Sequence, residues 1–239
     1  MTEDWYAGVD GCRGGWFVTL LGCREDTVQT VRYDLCQRFD EVVKLVARSV
    51  MVTVDMPVGL LEQALPGGRR CDRAARRLLG PRRSSIFSPP ARPALTAYPD
   101  YVAAVAANGA GLSLPAWYIL SRIEEVDSCM TPHLQRRIME AHPELAFMSL
   151  AGAPMGHSKK SPAGRDERLW WLKRYFGRHE LDVQALRKHF GRHRLAGDDI
   201  LDACVLALVA RRIRLGLGVC LPGPNVPVDS KGLRMEIWY

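Results

Sequence analysis

The chain predicts an α/β protein: a mixed sheet of three antiparallel strands followed by parallel ones, flanked by helices, with a mostly helical, arginine-rich insertion. Three observations carry this. Short apolar runs at Trp5–Asp10, Trp16–Leu21 and Thr27–Tyr33 are separated by Gly-rich and Gly-Cys-Arg-Glu-Asp turns, the pattern of an antiparallel meander. Met51–Asp55 is a continuous apolar, β-branched run, the signature of a buried parallel strand. Between them Phe39–Arg48 has helical spacing, with Phe39, Val42, Val43 and Val46 on one face, so the chain reads as a crossover from meander to parallel strand.

Beyond Gly59 the pattern becomes irregular. A Pro-Gly-Gly turn, a basic helix at Cys71–Leu79 and a Pro- and Ser-rich loop are followed by helical segments at Ala97–Ala107 and Pro115–Ser128, which places an insertion at about 60–130 of a single domain. Gln135–Glu140 is strand-like and Pro143–Leu150 reads as a short helix. Met155–Gly164 reads as a polar loop, followed by helices at Arg165–Phe176, Asp182–Phe190 and Asp198–Leu215, the last the longest and most apolar. A short strand is expected within Leu233–Trp238.

Composition bounds the function classes. With 47% hydrophobic and 25% charged residues the chain is expected to fold, and no apolar run reaches the length of a transmembrane helix. The start lacks the basic and apolar regions of a signal peptide. Seven scattered cysteines with no C-x-x-C pair argue against a disulfide framework or a structural zinc site, so a cytoplasmic location is expected. A net charge of +7 favours a polyanionic partner. Arg69, Arg70, Arg73, Arg76, Arg77, Arg82 and Arg83 crowd one segment, and a second basic region runs from Lys173 to Arg194. Such runs are either a solvated face or a phosphate-binding surface.

The acids carry the chemistry. Asp10 and Asp55 each close a strand-like run, where an α/β sheet opens its ligand crevice. Asp10-Gly11 is either the turn of a hairpin or, since the Cys-Arg-Gly-Gly that follows reads as too long for a two-residue hairpin, part of a loop whose three glycines keep the backbone thin for a phosphate or metal. Glu140 follows the strand-like run before His142-Pro143-Glu144. Glu144 suits a helix N-terminus, and His142 is a proton shuttle or a structural residue. Asp199 and Asp202 share one face at the start of the last helix, where Asp198 or Asp199 also suits an N-cap. Converging carboxylates suit hard cations, and paired Mg²⁺ or Mn²⁺ ions hydrolyse phosphodiesters. Lys159 reads as a phosphate contact or a solvated lysine, and Trp170-Trp171 as a core contact.

Taken in order, the segments GVDGCRGGW, VDMPVGL, CDRAARRLLGPRRSSIF, EAHPELAF and DDILDACVLALVARR resemble the domain of unknown function 429 family, described as a predicted nuclease of RNase H fold. The resemblance covers most of the chain and implies an RNase H-like sheet. It further implies a carboxylate site from Asp10, Asp55 or Glu140, and the Asp199/Asp202 pair, whose spacing is similar to that of Holliday-junction resolvases. The arginine-rich insertion after Asp55 departs from simple RNase H domains.

The expectation is therefore a Mg²⁺- or Mn²⁺-dependent nuclease. Asp10 bridges two metals, Asp55 and Glu140 complete the sites, and Asp199 or Asp202 holds the second metal. Arg73, Arg76, Arg82, Arg83 and Lys159 meet the nucleic-acid backbone, whether DNA or RNA, and a homo-oligomer is allowed. The rivals are a phosphotransferase or ATPase of the actin and sugar-kinase type, which begins with a similar hairpin but duplicates the fold, and a non-catalytic module that binds nucleic acid or protein.

Overall fold

The computed structural model describes residues 3–25 and 27–239, so Asp26 in the second meander turn and the first two residues of the expected leaderless start lie outside the described residues. The chain divides into two compact units: Met1–Asp55, Arg137–Val219 and Trp238–Tyr239 form the first, Met56–Arg136 and Cys220–Ile237 the second.

The first unit is built on a five-stranded sheet of β1 (Asp4–Cys12), β2 (Gly15–Arg24), β3 (Thr27–Cys36), β4 (Met51–Val54) and β5 (Ile138–Glu140), in spatial order β3-β2-β1-β4-β5. β1, β2 and β3 pair antiparallel, and β4 and β5 add in parallel beyond β1. This is the expected mixed sheet of three antiparallel strands followed by parallel ones. One face is covered by α1 (Phe39–Leu45), where Phe39 meets Trp16 edge-on at 5.0 Å. The other face takes α9 (Gly197–Arg214), which is buried without a break from Ile200 to Ala210. A helix buried on every side through its middle belongs inside a protein, and α9 is the core element of the unit.

The α9 contact is set by a glycine. A Cβ on Gly8 would fall 2.1 Å from the Ala203 carbonyl oxygen and 2.2 Å from the Ala207 nitrogen, so only glycine lets the helix backbone rest on β1. Thr53 Oγ1, level with Gly8 on the neighbouring strand, donates to the Leu206 carbonyl at 2.7 Å. These two points fix the height and rotation of α9, and hence of the acids at its N-terminus. The unit is completed by α6 (Pro143–Ala151), α7 (Pro162–Phe176) and α8 (Val183–Phe190).

Two local expectations are corrected here. The β1–β2 connection is a two-residue hairpin, Arg13-Gly14, closed by the pair Cys12–Gly15. Both strands run further than their apolar residues show, because backbone pairing continues through Gly11 and Cys12. The glycines answer to the chain itself. A Cβ on Gly15 would meet the Cys36 carbonyl oxygen at 2.0 Å, and the Gly14 N–H donates to the Arg194 carbonyl at 2.8 Å. At the other end, only Ile138–Glu140 is strand; Leu134–Arg136 is a 3₁₀ turn.

The second unit contains α2 (Arg70–Leu79), α3 (Tyr101–Asn108), α4 (Leu114–Tyr118) and α5 (Leu120–Cys129), the last two replacing one expected helix that breaks at Ile119. Its polar interior is organised by two arginines. Arg69 forms a buried pair with Asp72 at 2.8 Å and donates to the carbonyls of Val58 and Gly59. Arg92 joins Glu62, Asp127 and Asp229, and Asp229 also accepts the Leu60 N–H at 3.0 Å. The segment after Cys220 thus belongs to the packing of this unit. The short strands β6 (Cys220–Leu221) and β7 (Ile237–Trp238) are two residues each.

Candidate carboxylate site

Four of the five expected acids gather on the α9 face of the sheet. Asp10 lies within β1 and two residues beyond Gly8, so the strand pleat turns it to the side on which α9 rests. Asp55 immediately follows β4, its N–H bonded to the Val9 carbonyl at 2.9 Å, and stands two residues beyond Thr53 on that same face. Asp199 and Asp202 come down from the first turns of α9. Asp10 and Asp202 are buried, while Asp55 is partly exposed and gives the cluster its edge to solvent.

Proximity and burial act together on these acids. Burial pushes the Asp10 carboxyl well above the carboxylate range, and the charges of Asp55, Asp202 and Asp199 add to it. Burial raises Asp55 to about 6, opposed by Lys159 and by a hydrogen bond with the Asp10 side chain. Burial also raises Asp202, opposed by Lys159, whose Nζ lies 2.6 Å from Asp202 Oδ2. Asp199 is pushed by burial to about 6, but its Oδ2 accepts the Ala196 N–H at 2.8 Å. Asp199 therefore braces the first turn of α9 from its third position, the N-cap being Ala196 and neither Asp198 nor Asp199 as the cap alternative had it, and it stands at the margin of the cluster.

Glu140 is not part of this group. Its register partner is Val54, which pairs with Val9, and residues in register point to one face of a sheet. That face is opposite to the one bearing Asp10, Asp55 and α9. Nearby, His142 is the N-cap of α6, its Nδ1 accepting the Glu144 N–H at 3.2 Å, and Glu144 pairs with buried Arg168 at 2.8 Å. The structural alternatives hold for both. Of the tryptophans, Trp171 packs against the core, whereas Trp170 is 54% exposed beneath the Arg174 guanidinium.

The expected phosphate contacts divide. Arg76 is committed to its own loop, donating to the carbonyls of Ile86 at 2.9 Å and Gly67 at 2.6 Å and to Ser88 Oγ at 2.9 Å. Arg73 donates to the Gly68 carbonyl. Arg82 is partly buried and Arg83 exposed. Lys159, its side chain still 42% exposed, turns its ammonium onto the acids and pairs with Asp202. Burial disfavours its charge, yet Asp202, Asp10 and Asp55 hold its pKa above the ordinary value. The sequence missed what supports it: Glu167 accepts the N–H groups of Gly156 and His157, which precede Lys159 in the loop.

Among the described residues no group of three or more His, Cys, Asp or Glu side chains forms a ready metal cage. Asp202 is closed on Lys159. The donor set itself is all carboxylate oxygen, buried and acidic, which is what Mg²⁺ or Mn²⁺ takes. Asp10 and Asp55 supply oxygen donors of that kind, while Asp202 is paired with Lys159. No described helix is long and apolar enough to cross a membrane.

Comparison with known proteins follows from this geometry. No curated protein is a significant match. A Thermus thermophilus RuvC structure is similar at 12% sequence identity and a TM-score of 0.36, over 89% of this chain and 97% of that one. The profile described as Protein of unknown function (DUF429) matches residues 8–226, and the chain belongs to that family.

Proposed function

We propose that this protein is a divalent-metal-dependent hydrolase of phosphodiester bonds in nucleic acid. The observation that carries the reading is the convergence of Asp10, Asp55 and Asp202 on one sheet face, delivered by two adjacent parallel strands and the N-terminus of a buried helix. Mg²⁺ or Mn²⁺ bound there supplies Lewis-acid stabilisation of the phosphoryl oxygens and an activated water. Asp10 and Asp55 would hold the ion, and Asp202 orients the Lys159 ammonium toward the same region. The net charge of +7 favours a polyanion, and Arg82 and Arg83 are the insertion arginines proposed to meet phosphates. Among the described residues the five-stranded sheet occurs once, whereas a sugar-kinase fold duplicates it.

The test is cleavage of end-labelled single-stranded, duplex and branched DNA and of RNA, in Mg²⁺, Mn²⁺ or EDTA. Cleavage that requires the metal and is lost in Asp10→Asn, with the variant folded, is the expected result. An Asp10→Asn protein that cuts as fast as wild type refutes the site. No cleavage of any of these by the wild type in either metal refutes the activity.

A further inference from the structure

Lys159 is delivered to the acids by a segment that is braced on both sides. On the N-terminal side, Glu167 accepts the N–H groups of Gly156 at 2.8 Å and His157 at 3.0 Å. Arg168 donates to the carbonyls of His157 at 3.2 Å and Gly164 at 2.9 Å. Arg168 is itself buried and locked by Glu144. Ser158 lies so close to the first turn of α7 that a Cβ on Gly164 would fall 2.0 Å from its carbonyl oxygen. On the C-terminal side, Ser161 caps α7 by accepting the Gly164 N–H at 3.0 Å. An exposed lysine that folds onto a surface acid gains little and needs no such support. Here the stem is open to solvent, but the head meets a carboxylate whose side chain is only 3% exposed.

We propose that the Lys159 ammonium is a permanent cation of the carboxylate cluster, occupying the Asp202 side so that the site takes one divalent ion, held by Asp10 and Asp55. This rests on the metal-dependent reading above and changes the expected pair of ions to one ion and one lysine. Asp202 Oδ2 already accepts from the ammonium at 2.6 Å, which leaves Asp10 and Asp55, level with each other at the ends of adjacent strands, as the carboxylates open to an ion. An ion on Asp202 would have to displace a cation that its own loop holds in place. The assignment gives Lys159 a role the phosphate-contact expectation did not: it fixes Asp202 and substitutes for an ion that would otherwise have to be recruited.

The experiment is a Mn²⁺ titration of the purified full chain, read by calorimetric stoichiometry and by electron paramagnetic resonance, with Lys159→Met alongside. The wild type is expected to bind one Mn²⁺ per chain with the spectrum of an isolated ion, and Lys159→Met to take up a second ion or show a coupled pair. Two ions in the wild-type site overturn the inference and leave the hydrolase reading intact. No ion bound by the wild type overturns the hydrolase reading itself. A folded Lys159→Met that binds one ion with wild-type affinity shows that the ammonium holds no cation position. Should that variant fail to fold, the wild-type stoichiometry and spectrum still decide between one ion and two.

Discussion

Replacing Asp55 by Asn should make the metal-free protein more stable at alkaline pH and no more stable in acid. Asp55 has its pKa raised from 3.8 to about 6, with burial the first cause. Each unit is worth about 1.4 kcal/mol, so ionising this carboxyl in the folded state costs roughly 3 kcal/mol more than in the unfolded chain. The folded state binds the proton more tightly. That contribution to stability is complete below about pH 4 and is lost as pH rises through about 6. Asn cannot ionise, keeps the volume, and still accepts from Asp10, so the variant escapes the loss. For a chain of this size 1 kcal/mol moves the melting temperature by about 2–4 °C, and the expected gain at pH 8 in EDTA is on the order of 6–12 °C. Calorimetric or circular-dichroism melts from pH 4 to pH 8 measure it. Added Mg²⁺ should reverse the ranking, because only the wild type keeps both ligands and binding to the folded state raises its stability. Equal melting temperatures at pH 8, or a gain that persists undiminished at pH 4, would refute the claim that Asp55 is a member of an acidic cluster.

Gly8→Ala should cost several kcal/mol, since the added Cβ meets backbone of α9 and no side chain can swing aside; a near-neutral urea denaturation midpoint would show that α9 does not rest on β1 there. The same variant, where it folds, should bind Mn²⁺ more weakly, because α9 carries Asp202. Glu140→Gln should leave Mn²⁺ affinity within about twofold of wild type, as expected for an acid on the far face, and a loss near that of Asp10→Asn would refute the register argument. Arg82→Ala with Arg83→Ala should weaken nucleic-acid binding and lower its dependence on salt concentration by about one to two ions released; an unchanged slope in a salt series would remove these residues from the phosphate contacts.

Much of the first unit was legible because its signals are local. β4 is bounded by its own β-branched run, and α9 by a helical apolar stretch with acids at one end and arginines at the other. The hairpin was misjudged because Gly11 and Cys12 have no strand-like character of their own; they are held extended by their partners Trp16 and Gly15 across the ladder. The return of the C-terminal segment to the second unit depends on contacts between residues far apart in sequence. Asp229 with Leu60 and Arg92 is one example and Gln135 with Arg234 another, and no periodicity announces them. Arg76 shows the same limit. Its basic charge was plain, but the carbonyls of Gly67 and Ile86 that consume its donors belong to loops whose path the sequence does not give.

The site divides along a sharper line. An acid at a strand end is visible in the sequence, but the face it points to depends on register, and a shift of one residue reverses it. Asp10 and Asp55 share a face because each stands two residues past a position against α9, Gly8 and Thr53. Glu140 resembles them in sequence and is excluded by parity alone, being level with Val54. Lys159 is the converse case. Nothing in Ser-Lys-Lys-Ser separates it from exposed Lys160; the distinction comes from Glu167 and Arg168, whose bonds to the preceding loop exist only once α7 has formed. Helix α7 thus acts on the site without contributing a ligand, by fixing the backbone that aims one ammonium at Asp202. Removing the Glu167 carboxylate should therefore loosen Lys159 and change the number or affinity of bound Mn²⁺ ions while leaving Asp10, Asp55 and Asp202 in place.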